Sequence, residues 1–251
     1  MTRPVAIVTG GARRIGAVIA TRLVAGGWRV AVHHHRSAAD AAALVARLGP
    51  DAVALDQDLA EPDAAEALLL AARSAFAAPV TAIVNNASLF THDYPPDVDA
   101  AAIDRHHAVN LRAPVLLAEA LARQDDLARG AVVNVLDQKI ANLNPDFFAY
   151  SCAKIALAGA TAMLAQALGP RIAVNAVAPG LTLPSADQTD DEYRTVAAIN
   201  LLRRPVAAEA VADAVAFLLG ARGLHGQTLY VDNGQRFLPR ARDVMFATRG
   251  H

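Results

Sequence analysis

Val5-Ala6-Ile7-Val8-Thr9-Gly10-Gly11-Ala12-Arg13-Arg14-Ile15-Gly16 is the stretch that decides the fold. It begins as a short, nearly all-apolar run rich in valine and isoleucine, as a strand covered on both faces requires. Glycines follow at once, and an apolar pattern at helical spacing starts near residue 15. Strand, glycine turn and helix form the opening of a βα unit. Such a turn lets backbone N–H groups approach a pyrophosphate at the positive end of the helix dipole. A tight glycine turn with no ligand is the other reading. The position at the head of the first βα unit is the context a dinucleotide motif needs.

Outward from this unit the pattern repeats. Val5 to Thr9, Arg29 to His33, Ala52 to Leu55, Ala82 to Val84, Ala131 to Val135, Ile172 to Val177 and Thr228 to Val231 read as seven strands. Helical patterns fill the gaps at about 15–26, 38–48, 62–76, 100–123, 150–168 and 207–220. The alternation predicts an α/β fold: one doubly wound domain over 1–251, its seven-stranded parallel sheet flanked by helices on both faces. Ser88 to Asp99 and Leu181 to Asp191 lack periodicity and follow strand ends, where ligands bind in such sheets. They are expected to be substrate loops, near 88–99 and 181–200.

Bulk properties narrow the function. With 54% hydrophobic and 19% charged residues the 251-residue chain is set up to fold around a sizeable core. A formal net charge of -1 offers no electrostatic footprint for nucleic acid or an anionic membrane. The single cysteine, Cys152, excludes an internal disulfide and suits a reducing cytoplasm. No uncharged apolar stretch reaches the roughly 18 residues that span a bilayer. Met1-Thr2-Arg3-Pro4 leads straight into a strand, so no signal peptide is expected. The expected localisation is cytoplasmic.

The end of the second strand selects the dinucleotide. NAD sites place an acid roughly 20 residues beyond the glycines, on the ribose hydroxyls. Here His33-His34-His35-Arg36-Ser37 stands instead, with no acid until Asp40. An arginine fork beside a serine hydroxyl suits the 2′-phosphate of NADPH, and Arg13 supplies a second cation. A metal site is not expected, because successive strand residues face opposite ways and consecutive histidines do not converge. Asp58-Leu59 is placed to meet the adenine, although Asp58 with Glu61 also reads as a helix N-cap. At Asn85-Asn86-Ala87 the backbone is placed to pass under the nicotinamide ribose.

Tyr150-Ser151-Cys152-Ala153-Lys154 supplies the candidate chemistry. Tyr-x-x-x-Lys puts both side chains on one helix face, one turn apart. A lysine ammonium favours the phenolate and lowers a tyrosine pKa from about 10 by roughly 1–3. The pair then moves a proton while a hydride moves elsewhere. A surface tyrosine beside a solvated lysine is the alternative.

The glycine turn, Asn85-Asn86-Ala87, Tyr150…Lys154, Pro179-Gly180 and Gly226…Val231-Asp232-Asn233-Gly234 resemble, in order and spacing, the short-chain dehydrogenase/reductase family. The resemblance runs from Val5 to about Gly234. It implies a Rossmann sheet, usually in a homotetramer, and a catalytic tetrad. Tyr150 would exchange the proton, Lys154 would tune it and bind the ribose, and Asn110 would hold a relay water. Gly10, Ile15, His35, Asn86, Ala87, Ser88, Pro179 and Gly180 join the residues already named as the cofactor site.

Two departures narrow the resemblance. Arg14 stands where the turn usually has its second glycine, and Asp137 stands where the tetrad usually has serine. Both resemble the pteridine reductases and the related dihydromonapterin/dihydrofolate reductases, as do His33-His34-His35-Arg36-Ser37 and Asn85-Asn86-Ala87-Ser88-Leu89-Phe90. That likeness implies that Phe90 stacks on a flat pterin opposite the nicotinamide and that Ser88 contacts cofactor or substrate. Arg14, beside the pyrophosphate, is able to hold phosphate and substrate oxygen together, or serves as a phosphate clamp only. A serine donates a hydrogen bond to a ketone, whereas an ionised aspartate only accepts and suits a heterocycle presenting N–H groups. The expectation is therefore an NADPH-dependent pterin reductase. A short-chain reductase of another carbonyl or imine is the runner-up, and a silent NADP-binding regulator is the third reading.

Overall fold

In the computed structural model, residues 3–184 and 188–247 are described. Seven parallel strands form one sheet in the order β3-β2-β1-β4-β5-β6-β7. They are β1 (Val5–Val8), β2 (Arg29–His34), β3 (Ala52–Asp56), β4 (Ala82–Asn85), β5 (Gly130–Val135), β6 (Ile172–Pro179) and β7 (Thr228–Val231). The helices are α1 (Arg14–Ala25), α2 (Ala38–Leu48), α3 (Ala64–Phe76), α4 (Ala100–His107), α5 (Ala113–Ala122), α6 (Phe148–Leu168), α7 (Asp190–Ala197) and α8 (Ala208–Gly220). The predicted doubly wound architecture is present.

Strand alternation divides the core in two. Val5 and Ile7 face a layer with Leu68, Leu117 and Leu121 from α3 and α5. Ala6 and Val8 face the opposite layer, with Ile19 and Leu23 of α1 and Val211 and Val215 of α8. Both sides of β1 are therefore dry, which is why its sequence is apolar throughout. The winding reverses between β1 and β4, and a crevice opens beyond their carboxyl ends, as at other topological switch points. The glycine turn and Asn86 lie there.

Three local expectations are corrected. The predicted continuous helix at 100–123 is broken by a π-helical turn, Ala108–Arg112, between α4 and α5. Pro114 lacks the N–H that would bond the Asn110 carbonyl four residues back, so regular helix cannot run through. Within the expected loop at 181–200, Asp190–Ala197 is helical, started by a capping box of Thr189 and Glu192. Residues 185–187 of that loop, and 248–251 of the tail, lie outside the described residues. Finally, α3 begins at Ala64 with Asp63 as its flanking residue, so Asp58 is not its N-cap.

Helix α6 is long and apolar enough to cross a membrane by length and composition. It carries Lys154, packs against β6 and contributes Leu157 and Ala165 to the core. It behaves as the core helix of this domain.

Candidate active site

A cavity of ≈ 970 Å³ runs from the glycine turn, past the ends of β4 and β5, to the start of α6. Its floor is fixed by backbone chemistry. Gly10 has φ +59, which costs a glycine nothing. A Cβ at Gly16 would lie 2.1 Å from the Gly10 carbonyl, so this turn admits no side chain there. Asn86 Nδ2 donates to the Thr9 and Gly10 carbonyls at 2.9 and 3.1 Å. Thr9 Oγ1 accepts from the N–H groups of Asn86 and Ala87 at 2.9 and 3.0 Å. The ends of β1 and β4 are thereby locked to each other.

His33, set aside in the sequence as one of three consecutive histidines, is part of this lock. Gly10 N–H donates to His33 Nδ1 at 3.0 Å, and the other ring nitrogen lies 2.9 Å from the Gln57 carbonyl. These partners require a neutral ring with the proton on Nε2. Burial drives the His33 pKa from 6.5 to about 4, against the opposing pull of the Gln57 carbonyl. The sequence offers no local signal for this, because the partner glycine is brought in from β1.

Arg13, Arg14, Ile15, His35 and Ser37 line the cavity as expected, as do Gly10, Asn86, Ala87, Ser88, Pro179 and Gly180. Arg36 does not; it is exposed, with φ +61. Leu59 is buried in the core instead. Asp58 accepts from the Ala60 N–H at 2.9 Å and lies 3.7 Å from His35, outside the cavity wall. Arg14, at φ +54, adopts the left-handed conformation that a glycine would take at no cost. Its guanidinium donates to the Pro184 carbonyl at 2.8 Å, tying the turn to the described part of the second substrate loop.

At the opposite end Tyr150, Asp137 and Lys154 converge. The Tyr150 hydroxyl donates to Asp137 Oδ2 at 2.7 Å, and Lys139 N–H donates to Asp137 Oδ1 at 2.8 Å. Burial pushes the Asp137 carboxyl above its usual range, opposed by the Lys139 amide and by Tyr150. Lys154 Nζ donates to the Val135 carbonyl at 2.7 Å and lies 5.7 Å from the Tyr150 ring centre. Burial pulls its pKa down to about 8. The expectation that Lys154 makes Tyr150 more acidic is corrected here. Burial, with the charge and hydrogen bond of Asp137, holds the phenol well above its ordinary value, so Tyr150 is a protonated donor.

Asn110 is fully buried and lies off the cavity wall. Its side chain both donates to and accepts from the Leu89 backbone, at 2.9 and 2.8 Å. It thereby fixes the start of the first substrate loop. Phe90 stacks on Phe147, with ring centres 4.1 Å apart, and meets Tyr150 edge-on at 4.8 Å. Phe147 in turn faces Phe246 at 6.0 Å. Phe147 (φ +55), His92, Lys139 and the tail residues Asp243 to Phe246 all line the cavity and escaped the sequence reading. Their roles depend on contacts between distant segments.

A doubly wound sheet with a glycine turn at its switch point and a buried Tyr-Lys pair beside it is an arrangement suited to a dinucleotide-dependent oxidoreductase. The profile of the short chain dehydrogenase family matches residues 4–195, and the chain belongs to that family. Among its relatives, the pteridine reductase 1 of Leishmania tarentolae is 32% identical over 284 residues, spanning 93% of this chain and 96% of that one. A chloroplastic NADPH-dependent aldehyde reductase-like protein of Arabidopsis thaliana is 32% identical over 254 residues, spanning 92% and 93%. The crystal structure of FolM alternative dihydrofolate reductase 1 from Brucella canis, complexed with NADP, superimposes with a TM-score of 0.90. It is 38% identical and covers 96% of each chain.

Proposed function

We propose that this oxidoreductase is an NADPH-dependent reductase of a pterin, biopterin-like or of the dihydromonapterin or dihydrofolate type. The observation that carries the reading is the 2.7 Å hydrogen bond from Tyr150 to Asp137 in a cavity walled by Phe90 and Phe147. A carboxylate at this point accepts hydrogen bonds and repels a carbonyl oxygen. It therefore favours a flat heterocycle with N–H groups, and the aromatic wall supplies its apolar face.

The residues present fit the cofactor. The side-chain-free cradle at Gly10 and Gly16 would receive the pyrophosphate, and Arg13, His35 and Ser37 would hold the adenosine end. Bound NADPH supplies the hydride that reduces a C=N bond. Tyr150 then delivers its proton to the ring nitrogen, releasing its bond to Asp137. Lys154 stabilises the phenolate, and Asp137 holds the substrate's N–H groups and orients the phenol.

Reduction of another carbonyl is the second reading, favoured by relatives of similar identity that are named aldehyde reductases. The resemblance also implies a homotetramer, with exposed Ile155 and Met163 on α6 as candidate contacts, and the single cysteine suits a reducing cytoplasm. A net charge of -1 fits a small-molecule substrate with no nucleic-acid or membrane partner. Steady-state assays with NADPH against dihydrobiopterin, dihydromonapterin, dihydrofolate and simple ketones test the assignment. Turnover of ketones with none of the pterins would replace it by the second reading.

A further inference from the structure

The C-terminal segment reaches the site through ionic contacts to two buried side chains, Asp146 and Lys139, that the proposed chemistry does not use. Asp146, just before α6, is fully buried and takes Arg242 Nε and Nη2 at 2.8 Å each and the Asp243 N–H at 2.7 Å. His92, from the first substrate loop, lies 3.3 Å from the same carboxylate. Two residues beyond Asp137, Lys139 is only 3% exposed, and its Nζ donates to Asp243 Oδ2 at 2.8 Å and to Asn144 at 2.6 Å. Val244 and Met245 are then buried against the cavity, and Phe246 stacks over Phe147.

Asn144 holds the buried Lys139 ammonium alongside Asp243, so Lys139 keeps a hydrogen-bond partner when the Asp243 charge is removed. Lys139 shares the short turn Gln138–Ala141 with the Asp137 amide contact, so whatever partners it also sets the field at Asp137. We propose that Arg242 to Phe246 is a latch built into the active site, and that Asp243, acting through Lys139, is a positioning residue for the Asp137–Tyr150 pair. The inference rests on the reductase reading but not on the identity of the substrate. The charged and titratable groups facing the pair are Lys139, Lys154 and Asp243, with His92 and Arg14 further along the same walls. Asp243 holds the Asp137 carboxyl up and Lys139 draws it down, so the two act in opposite directions.

The test uses Asp243→Asn, Asp243→Glu and Lys139→Met in the full chain. Amide hydrogen exchange over residues 242–247, without added nucleotide, should quicken about tenfold or more in Asp243→Asn and return toward wild type in Asp243→Glu. With whichever panel substrate is accepted, the acidic limb of the kcat–pH profile should move down by about half a pH unit or more in Asp243→Asn. It should move up in Lys139→Met. Unchanged exchange in Asp243→Asn overturns the latch. A limb that stays put in both variants, or moves the same way in both, overturns the positioning role. Absence of pterin turnover would appear in the substrate panel and leaves both readouts interpretable. If Asp243→Asn does not fold, Lys139→Met against wild type decides by the direction of the limb.

Discussion

Acid should loosen the glycine turn through one histidine. His33 is 2% exposed and accepts the Gly10 N–H on Nδ1, so protonation would set two donors against each other under the turn. Its folded pKa of about 4 lies below the 6.5 of an unburied imidazole. As pH falls, the unfolded chain takes up this proton first. The stability that the neutral ring contributes is therefore complete above about pH 6.5 and is lost progressively toward pH 4. Linkage gives a loss of about 2 kcal/mol between about pH 7.5 and about pH 5. His33→Asn isolates the effect, because a carboxamide oxygen can accept from Gly10 without titrating. The variant loses the Gln57 contact and should start about 1 kcal/mol less stable at pH 7.5. It should then lose about 2 kcal/mol less than wild type on acidification, read from urea denaturation midpoints and slopes at each pH. Parallel stability curves for the two proteins would show that His33 does not carry the acid sensitivity.

Tyr150→Phe should abolish turnover while NADPH affinity, followed by nucleotide fluorescence, stays within about threefold; retained turnover would remove the proton donor from the mechanism. Gly16→Ala should cost about 1–3 kcal/mol and abolish nucleotide binding, because its Cβ would meet the Gly10 carbonyl at 2.1 Å. Turnover should decline as pH rises past about 8, where Lys154 loses its proton, and a flat profile from about pH 7 to about pH 10 would show that its charge is dispensable.

The architecture was legible because its signals are local. Each strand is a short apolar run, each helix an alanine-rich stretch, and the glycine turn sits where a βα unit must have one. The same holds for Tyr150 and Lys154, whose spacing alone puts them on one face. Asp137 was legible by its place in the chain, but burial, together with the charge and hydrogen bond of Asp137, reverses the expected effect on the phenol. What escaped depends on long-range packing. Phe147 meets Phe246 across nearly a hundred residues of chain, and Asp146 and Lys139 find their partners in the tail over similar separations. His33 looked like a member of a histidine run until the fold set it under Gly10. The capping box at Thr189 and Glu192 is legible in the sequence, but α7 has too few apolar residues to stand out as a helix.

Selection of a heterocycle over a carbonyl by Asp137 is the centre of the proposed function. It is tested most directly by the ratio of kcat/KM for the best pterin to kcat/KM for the best ketone, with NADPH, in wild type and in Asp137→Ser. The expected result is a ratio that favours the pterin in wild type and falls tenfold or more in the variant, about 1.4 kcal/mol of lost discrimination. A ratio that does not change on substitution would contradict it.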